Sequence, residues 1–392
     1  MTHAVLVLNV GSSSIKFALH ALPDLAAICR GVVDAVGNGT PELKATGPRR
    51  AALEHLTFPG GAADHAAVAD WLLACLAVRL PDITLAAAGH RVVHGGTVFA
   101  DPVIIDENVL ATLERFVPLA PNHQPQNLVA IRAVQRRLPS LPQIACFDTA
   151  FHRTQPDRAQ RFALPRAMHD EGIRRYGFHG LSCEYLASAL PAFAGARADG
   201  RVIIAHLGNG ASLSALANRR SIATTMGFTA LDGLVMGTRS GALDPGVVLH
   251  LMREKRLSAE EISNLLYHHS GLLGVSGVSG DLRVLEADGG AAAEQAMDLF
   301  AYRAAREMGS LAAALGGLDV LVFSAGIGEH SASMRARIGV YCKWLGVEID
   351  ESANARHASR ISGPSSAVDV FVIPTDEEIV IARAVVLLRG RR

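Results

Sequence analysis

Residues 4–19 of this 392-residue chain read Ala4-Val-Leu-Val-Leu-Asn-Val-Gly11-Ser-Ser-Ser-Ile-Lys-Phe-Ala-Leu19. Two apolar runs separated by a glycine–serine turn predict two antiparallel strands joined by a tight connection. Residues 201–216 repeat this pattern around Leu207-Gly-Asn-Gly-Ala-Ser212. Gly11 matches Gly210 and Ser13 matches Ser212, an offset of 199 residues, which is about half the chain. The sequence therefore predicts a duplicated domain with a glycine-rich hairpin in each copy.

Strand and helix patterns alternate between and after these two hairpins. Apolar positions at helical spacing predict helices over residues 64–80 and 126–138, each ended by a proline. Continuous apolar runs predict strands at 85–93 and 143–147, and Asp148 follows the second of these. Such alternation is typical of α/β proteins with open sheets.

Four glycine-rich turns are predicted to follow strands, and two of them belong to the repeat. The other two are Gly277-Val-Ser-Gly-Asp281-Leu-Arg283 and Ala325-Gly-Ile-Gly-Glu329. Glycine and serine at such places expose backbone N–H groups and hydroxyls, the donors that a polyphosphate needs. The sequence has no GxxxxGK[ST] segment, and no turn fits GxGxxG with an acidic residue at the expected distance. A nucleotide would need another type of cradle, and ordinary hairpin turns are the alternative.

Several polar side chains lie where such a cradle would need them. Lys16 follows the first glycine turn closely enough to face a phosphate, with a solvated strand lysine as the alternative. Asn9 and Glu377 are predicted at the ends of two strands, where hard oxygen donors suit Mg²⁺, although Glu377 could also stabilise the last helix. Arg91 and Arg239 are flanked by glycines, which favours binding of a carboxylate or phosphate over an internal salt bridge. For His123 and His179, a hydrogen-bonded loop histidine is the simpler interpretation.

Composition narrows the class of protein. Lys plus Arg and Asp plus Glu are both 37, so the formal net charge is zero. A neutral protein has no overall electrostatic attraction for nucleic acid or an anionic membrane, which argues against both as partners. The hydrophobic fraction of 49% supports a large core. Five scattered cysteines, no signal peptide and no long apolar run predict a cytoplasmic protein without a disulfide framework, structural zinc or membrane span. A phosphotransferase is favoured, with an ATP-driven conformational protein as the alternative.

Nine collinear segments resemble the acetate kinase family, within the superfamily that also holds sugar kinases, actin and the heat-shock chaperone ATPases. The segments are Asn9-Val-Gly-Ser-Ser-Ser-Ile-Lys16, Gly89-His-Arg-Val-Val-His-Gly-Gly96, Leu119-Ala-Pro-Asn-His-Gln-Pro125, Phe147-Asp-Thr-Ala-Phe-His152, Tyr176-Gly-Phe-His-Gly180, His206-Leu-Gly-Asn-Gly210, Met236-Gly-Thr-Arg-Ser-Gly241, Ala325-Gly-Ile-Gly-Glu329 and Ile373-Pro-Thr-Asp-Glu-Glu378. The resemblance implies two duplicated actin-like ATPase (ribonuclease H-like) α/β domains flanking a central cleft. It implies one domain of residues 1–150 plus 380–392 and a second, with the nucleotide site, of residues 151–379.

The resemblance also implies reversible transfer of the ATP γ-phosphoryl group to acetate, giving acetyl phosphate and ADP, in a homodimer that serves acetyl-CoA biosynthesis. Asn9 and Glu377 would hold Mg²⁺, or Mn²⁺ in its place, and Ser12, Ser14 and Lys16 would face the phosphates. Arg91, Asp148, His179 and Arg239 would be the catalytic residues. The implied carboxylate-binding residues are Arg91, Val93, Asn122, His123, Phe178 and Ala230. The implied nucleotide-binding residues are His206, Leu207, Gly208, Asn209, Gly210, Asp281, Leu282, Arg283, Gly326, Ile327, Gly328, Glu329 and His330.

Three departures from the family pattern concern the acceptor. Asn122 stands where the family usually has leucine, Ala230 replaces a proline, and Leu181-Ser-Cys183 replaces Thr-Ser-His. Asn122 and Ala230 would make the pocket less apolar, so propionate or a more polar short acid is the alternative to acetate. A sugar kinase would lack the carboxylate-binding Arg91, and an actin-like or chaperone-like ATPase would hydrolyse ATP without an acceptor. Because a carboxylate is already ionised at pH 7, we expect Asp148 to orient an arginine or a metal-bound water rather than abstract a proton.

Overall fold

The computed structural model describes residues 1–54 and 56–390, and the chain forms two compact units. Unit 1 consists of Met1–Ala150 and Asp376–Arg392, and unit 2 of Phe151–Thr375. Residues 391 and 392, the end of the predicted segment 380–392, lie outside the described residues.

Unit 1 is built on an eight-stranded sheet. Its strands are β1 (Thr2–Val10), β2 (Ile15–Ala21), β3 (Ala27–Asp34), β4 (Glu42–Thr46), β5 (Leu56–Thr57), β6 (Ile83–Val92), β7 (Val103–Ile104) and β8 (Gln143–Phe147). The strand order is β5-β4-β3-β2-β1-β6-β8-β7, with β1, β6 and β8 parallel and the other pairs antiparallel. Its first helices are α1 (His65–Arg79), α2 (Glu107–Arg115) and α3 (Gln124–Arg137).

The amphipathic helices cover the sheet as their sequences predict. Asp64 caps α1 by accepting a hydrogen bond from the Ala67 amide at 2.9 Å, and the helix ends before Pro81. Its buried residues, including Leu72 and Leu76, join the strand residues Leu6 and Phe17 in one hydrophobic core. Burial of a leucine of this kind contributes about 2 kcal/mol to folding.

Unit 2 is built on a five-stranded sheet of β9 (Arg201–Leu207), β10 (Ala211–Ala217), β11 (Arg220–Thr224), β12 (Val320–Ser324) and β13 (Asp369–Val372). Its helices are α4 (Asp157–Gln160), α5 (Arg166–Asp170), α6 (Gly180–Ala189), α7 (Pro191–Ala194), α8 (Pro245–Arg253), α9 (Ala259–His268), α10 (Gly271–Ser276), α11 (Leu282–Asp288), α12 (Ala291–Leu315), α13 (Ala325–His330), α14 (Ala332–Tyr341) and α15 (Glu351–Ala355). Short 3-10 turns lie at Arg50–Ala52, Val117–Leu119, Ala150–Thr154, Gly195–Asp199 and Lys343–Leu345.

The two sheets share one topology, which confirms the repeat that the sequence predicts. In unit 2 the order is β11-β10-β9-β12-β13, with an antiparallel β9–β10–β11 meander and parallel β9, β12 and β13. The meander β1–β2–β3 followed by parallel β6 and β8 is the same arrangement in unit 1. The two glycine turns are equivalent, because one joins β1 to β2 and the other joins β9 to β10.

The chain returns to unit 1 in its last helix, α16 (Glu377–Arg389), which packs on β1, β6 and β8. A β-carbon at Gly89 in β6 would collide with the Ile381 side chain of α16. The missing side chain therefore allows the helix to lie directly on the strand that carries Arg91, and this contact positions Glu377 at the start of the helix.

Three sequence predictions about local structure are wrong. Gly277 follows helix α10 rather than a strand, because a six-residue apolar helix is too short to reveal its period. Residues 325–328 form the first turn of helix α13 instead of an open turn. Glu377 opens α16 and does not end a strand, since β13 stops at Val372.

Candidate functional site

In unit 1, three parallel strands bring their predicted residues to one edge of the sheet. Asn9 lies at the end of β1, Arg91 near the end of β6, and Asp148 directly after β8. The register pairs Leu8 with His90 and Arg91 with Cys146, so these carboxyl ends are adjacent. A sheet of this type presents binding groups at the carboxyl ends of its parallel strands.

Arg91 and Asp148 form a two-pronged ion pair at this edge. The Arg91 Nε donates to Asp148 Oδ1 at 3.1 Å, and Nη2 donates to Oδ2. The Asp148 side chain is 1% exposed and the Arg91 side chain 15%. Burial by itself would lower the pKa of Arg91, but the Asp148 and Glu377 carboxylates outweigh it and hold that pKa above its ordinary value. Arg91 is therefore a fixed cation whose guanidinium plane is oriented by Asp148.

Asn9 and Glu377 lie beside this pair. The Asn9 Oδ1 accepts from Arg91 Nη1 at 3.2 Å, and its Nδ2 donates to Glu377 Oε2 at 3.4 Å. Burial raises the pKa of Glu377 to about 7, Asp148 and Glu378 add to the shift, and Arg91 and Lys16 oppose it. Glu377 is thus a desolvated carboxyl group next to a second carboxylate. A bound cation would offset both the loss of solvation and the repulsion between the two carboxylates.

The first glycine turn places its predicted residues next to Asn9. Lys16 is the direct cross-strand partner of Asn9, so both side chains lie on the same face of the sheet. Ser12 is exposed and Ser14 is half-buried in the turn, which the Gly11 amide closes on the Ser14 carbonyl at 2.9 Å. The structure therefore brings the predicted phosphate-facing residues to the same edge as the arginine and the carboxylates.

The loop after β6 is held by two buried amide side chains that sequence reasoning missed. The Val93 amide donates to Asn127 Oδ1 at 2.9 Å, and Asn127 Nδ2 donates to the Val10 carbonyl at 2.9 Å. Gln124 accepts from the His94 amide at 3.2 Å. Both amides belong to α3, which follows Asn122 and His123. Apart from the Leu113 carbonyl, which accepts from Gln124 Nε2 at 3.3 Å, their partners lie 30 to 117 residues away in the chain, beyond the reach of a local pattern.

In unit 2, two predicted histidines stack on each other. The rings of His179 and His206 have centroids 4.1 Å apart at an interplanar angle of 19°. The His179 Nδ1 lies 2.9 Å from Ser212 Oγ, and the His206 Nδ1 lies 2.8 Å from Ser182 Oγ. Ser182 also accepts a hydrogen bond from Thr375 Oγ1 at 2.8 Å. Serine hydroxyls thus fix both rings through the Nδ1 atom.

The predicted Phe178 and His179 lie in a strained loop that a third histidine supports. His179 has a φ of +57° at the start of α6, a left-handed conformation that is unusual for a side-chain-bearing residue. Burial lowers the pKa of His152 to about 4, so this ring is neutral. Its Nε2 donates to the Phe178 carbonyl at 2.9 Å, and its Nδ1 therefore accepts from Ser221 Oγ at 3.0 Å. His152 is therefore a supporting residue, a role that the sequence pattern does not indicate.

Arg239 lies near this histidine pair within unit 2. A β-carbon at Gly210 would be 3.4 Å from His179 Nε2 and 3.7 Å from Arg239 Nη1, so the glycine borders both groups. Arg239 also donates to the Ala230 carbonyl at 3.1 Å. Of the predicted alkyl-pocket residues, Phe178 and Ala230 belong to unit 2 and Val93 and Asn122 to unit 1. Val93 and Phe178 are buried, whereas Asn122 and Ala230 are half-buried.

The predicted nucleotide-binding segments surround a cavity of about 490 Å³ in unit 2. Its lining includes eight predicted residues, Gly208, Asn209, Asp281, Leu282, Arg283, Gly326, Ile327 and His330. It also includes Gly280 from the predicted glycine-rich turn, and two residues that the sequence did not indicate, Glu286 and Ser331. Five predicted residues do not line it, namely His206, Leu207, Gly210, Gly328 and Glu329. A cavity bordered by glycine-rich backbone has the exposed donors that phosphates and a ribose require.

Glu329 and Arg335 hold helix α13, which forms one wall of this cavity, without lining the cavity themselves. Glu329 Oε1 accepts from the Ala325 amide at 2.8 Å and the Thr375 amide at 3.2 Å. Arg335 is fully buried, and its Nη1 donates to the Gly328 and Glu329 carbonyls, both at 2.9 Å. Burial lowers the pKa of Arg335. These contacts fix helix α13, so Glu329 is a structural support here and not part of the lining.

Membrane spans and clustered metal ligands are both missing from the part of the chain that the structure describes. Within residues 1–54 and 56–390, no helix combines the length and the apolar character needed to span a membrane. Within the same residues, no group of three or more His, Cys, Asp or Glu side chains is arranged to hold a metal ion.

Comparisons with known proteins agree with the predicted fold. The model of the Acetokinase family matches residues 4–383. Acetate kinase from Rhodopseudomonas palustris is 53% identical in an alignment of 392 positions that covers 98% of each chain. Among solved structures, Porphyromonas gingivalis acetate kinase is 40% identical with a TM-score of 0.86, and a propionate kinase from Francisella tularensis is 36% identical with a TM-score of 0.90. Each alignment covers 97% of this chain and 98% of the other, which confirms the α/β fold with duplicated actin-like domains. The chain belongs to the acetokinase family.

Proposed function

We propose that this protein transfers the γ-phosphoryl group of ATP reversibly to acetate, giving acetyl phosphate and ADP by direct in-line transfer. The observation that carries the proposal is the Arg91–Asp148 pair at the carboxyl edge of the unit 1 sheet, in a chain of the acetokinase family. A guanidinium held in a fixed plane is suited to a planar carboxylate, which it binds through two hydrogen bonds. A neutral sugar hydroxyl would not need such a cation.

Arg91 binds the acceptor carboxylate, and Asp148 sets the orientation of the guanidinium. The short acid is ionised at pH 7, so its oxygen attacks phosphorus without losing a proton first. Two hydrogen bonds from Arg91 already occupy the Asp148 carboxylate, which supports an orienting role over a proton-transfer role. His179 and Arg239 stabilise the charge on the transferring group through their ring and guanidinium donors. Phosphoryl transfer depends mainly on such positioning and charge stabilisation.

The glycine-lined cavity of unit 2 binds the nucleotide as the cosubstrate. Asp281 caps helix α11 by accepting from the Arg283 amide at 2.9 Å, and the Arg283 guanidinium pairs with the same carboxylate. This pair forms one rim of the cavity and Gly326 and Ile327 form another. A β-carbon at Gly237 would collide with Asn209 Oδ1, so a glycine is needed there to keep Asn209 in place. The backbone of these segments supplies most of the binding groups.

The residues at the unit 1 edge fit a Mg²⁺ ion. Asn9 and Glu377 lie beside each other, with Asn9 Nδ2 on Glu377 Oε2 and Asn9 Oδ1 on Arg91, so rotation of the Asn9 amide would bring two hard oxygen atoms together. Mg²⁺ needs few protein ligands because it keeps several waters. Burial and the neighbouring carboxylates raise the pKa of Glu377, and a cation bound there would offset both effects. When bound, Mg²⁺ neutralises polyphosphate charge. Asn9→Ala and Glu377→Gln should each raise the Mg²⁺ concentration needed for half-maximal activity at least tenfold, whereas unchanged Mg²⁺ dependence would remove these residues from the metal site.

Propionate is the second candidate acceptor, and two observations favour it. A propionate kinase has the higher TM-score of the two solved structures compared above. Ala230 is also smaller than the proline usual in the family, which leaves room for another methylene. Because one methylene in an apolar pocket changes specificity by about 1–3 kcal/mol, side-chain changes of this size could reverse the preference.

The decisive experiment measures ADP release that depends on the carboxylate, with hydroxylamine present to trap the acyl phosphate as a hydroxamate. The panel contains acetate, propionate, butyrate and short hydroxy acids. We expect the highest kcat/KM with acetate. A higher value for propionate would identify propionate, and not acetate, as the preferred acceptor. ADP release without trapped hydroxamate for every acid would exclude carboxylate phosphorylation and indicate an ATPase.

A homodimer and a cytoplasmic location complete the proposal. Helix α8 has no buried residue, and Leu243, Val247, Leu249 and Met252 in and before it are 40% to 47% exposed. An exposed apolar helix face of this kind is typical of a subunit interface. Size-exclusion chromatography with light scattering should show a dimer, and Leu249→Glu should convert it to a monomer. The cytoplasmic location rests on the sequence, whose five scattered cysteines, all within the described residues, form no disulfide.

A further inference from the structure

A second cavity lies in unit 1, at the end of the sheet away from Arg91. It has a volume of about 450 Å³ and is lined by the first four residues of β6, by α1 and by the turn between α3 and β8. Ile83 and Arg91 are eight residues apart on the same strand, which corresponds to about 26 Å at about 3.3 Å per residue. The cavity is therefore separate from the edge that carries the candidate catalytic groups.

The inner wall of this cavity is hydrocarbon. Leu19, Leu73, Leu76 and Leu80 are each at most 5% exposed and form its base, and the partly buried Leu141 forms one side. Water in such a space finds few hydrogen-bond partners, so an apolar group that displaces it is favoured. The volume exceeds what one or two carbon atoms require and suits an aliphatic chain of about six to ten carbons.

The mouth of the cavity is positively charged. Arg137, the last residue of α3, lines it and is exposed, and within residues 1–54 and 56–390 no acidic side chain pairs with it. The neighbouring Arg136 differs, because it binds Asp70 at 3.1 Å. An uncompensated arginine in the lining of an apolar cavity complements an anionic head with an aliphatic tail.

We propose that this cavity is a binding site for a medium-chain aliphatic monocarboxylate, with the chain among the leucines and the carboxylate at Arg137. The site is distinct from the acceptor site, where Arg91 would take a short acid. It requires neither phosphoryl transfer nor a nucleotide, so the proposal stands or falls independently of the proposed reaction.

Isothermal titration calorimetry of the full-length protein with octanoate, hexanoate and butyrate tests the proposal. We expect one saturable site for octanoate and a loss of affinity of about threefold for each methylene removed, because each buried methylene contributes to binding. Arg137→Gln should weaken octanoate binding about tenfold. Arg136→Gln is the matched control on the same turn of the helix, and it should change the affinity less than about twofold. Absence of saturable octanoate binding up to about 10 mM would overturn the proposal, since apolar burial of this size should give tighter binding.

Two further variants test whether octanoate occupies this cavity or a different part of the protein. Ala77→Phe, at the exposed rim, should block the cavity and abolish octanoate binding, and unchanged binding would overturn the proposal. Arg91→Ala should leave octanoate binding intact, and its loss would show that octanoate occupies the acceptor site instead. Binding that weakens as protein concentration rises would show that a second copy of the chain covers the cavity, which would also overturn the proposal.

Discussion

Units 1 and 2 share a strand order but hold their functional side chains in different ways. In unit 1 the edge of the sheet carries full charges close together, with Arg91 tied to Asp148 and Glu377 beside them. In unit 2 the equivalent glycine hairpin carries His206 and Ser212, and His179 is fixed by hydroxyl groups and ring stacking. One duplicated scaffold thus supports a site built on a buried ion pair and a site whose histidines are held by serine hydroxyls.

The difference has an energetic consequence. A buried ion pair depends on both partners, because removing one leaves an uncompensated charge that costs about 3–5 kcal/mol. A hydrogen bond between neutral groups contributes only about 1 kcal/mol. Substitutions in unit 1 should therefore have larger effects than comparable substitutions in unit 2, and the effects should depend more strongly on pH.

The largest effect is expected for Asp148→Asn. The change keeps the shape of the side chain but removes the charge that orients Arg91, so kcat should fall about 10³-fold, or about 4 kcal/mol, while the acetate KM changes less than about tenfold. Steady-state kinetics over both substrates measures this split. Asp101→Asn, at an exposed position of unit 1, is the matched control and should behave like the wild type. A near-normal kcat for Asp148→Asn would contradict the role assigned to the pair.

The next effect concerns Glu377 and the pH dependence of stability. Its pKa of about 7 in the folded protein lies above the ordinary 4.5, so between these values the folded state holds a proton that the unfolded state has released. The free energy of unfolding should therefore fall as pH rises through this window, by about 3 kcal/mol in total, and Glu377→Gln should lack this decrease. Chemical denaturation from pH 5 to 8 without Mg²⁺ measures the difference between the two proteins.

Three buried histidines have the opposite effect on the pH dependence of stability, and the comparison of the two proteins must account for them. Burial lowers the pKa values of His90, His94 and His152 to about 4, so the unfolded state binds more protons between about 4 and 6.5, and stability rises with pH there. Because both proteins contain these histidines, their contribution cancels in the difference. Parallel pH curves for the wild type and Glu377→Gln would show that the buried carboxyl group does not titrate in this window.

The contrast between the units also explains how much the sequence could predict. Strand β8 at 143–147 and Asp148 after it were predicted correctly, because a continuous apolar run bounded by polar residues is a local signal. The glycine hairpins were found because the same turn chemistry occurs twice. Family resemblance supplied the roles of residues such as His179, which periodicity and spacing could not assign.

The residues that the sequence did not indicate act over long distances in the chain. Asn127 joins Val10 and Val93, and the buried Arg335 supports helix α13 through carbonyl groups and Asn354. Nothing in the local pattern distinguishes an asparagine or arginine of this type from one on the surface. Helix α10 before Gly277 gives a local pattern that does not differ from that of a strand, since its six residues contain fewer than two helical turns.

Arg91→Ala should affect the acceptor more than the nucleotide. Loss of the guanidinium removes two charge-assisted hydrogen bonds to the carboxylate, so the acetate KM should rise about 30-fold, or about 2 kcal/mol, with a smaller rise in the ATP KM. Arg91→Lys keeps the charge without the planar fork and should recover only part of the loss. A larger rise in the ATP KM than in the acetate KM would remove Arg91 from the acceptor site.

The smallest effect is expected in unit 2, for Ser212→Ala. This change removes the hydroxyl that fixes His179 Nδ1, but the stack with His206 remains, so kcat should fall only about fivefold, or about 1 kcal/mol, with both KM values nearly unchanged. Ser214→Ala is the matched control, because Ser214 points to the same face of β10 and bonds Thr224 at 3.1 Å instead of a histidine. Its kcat should equal that of the wild type. If Ser212→Ala proved as damaging as Asp148→Asn, one hydroxyl hydrogen bond would matter as much as a buried ion pair, and the energetic distinction between the two units would not hold.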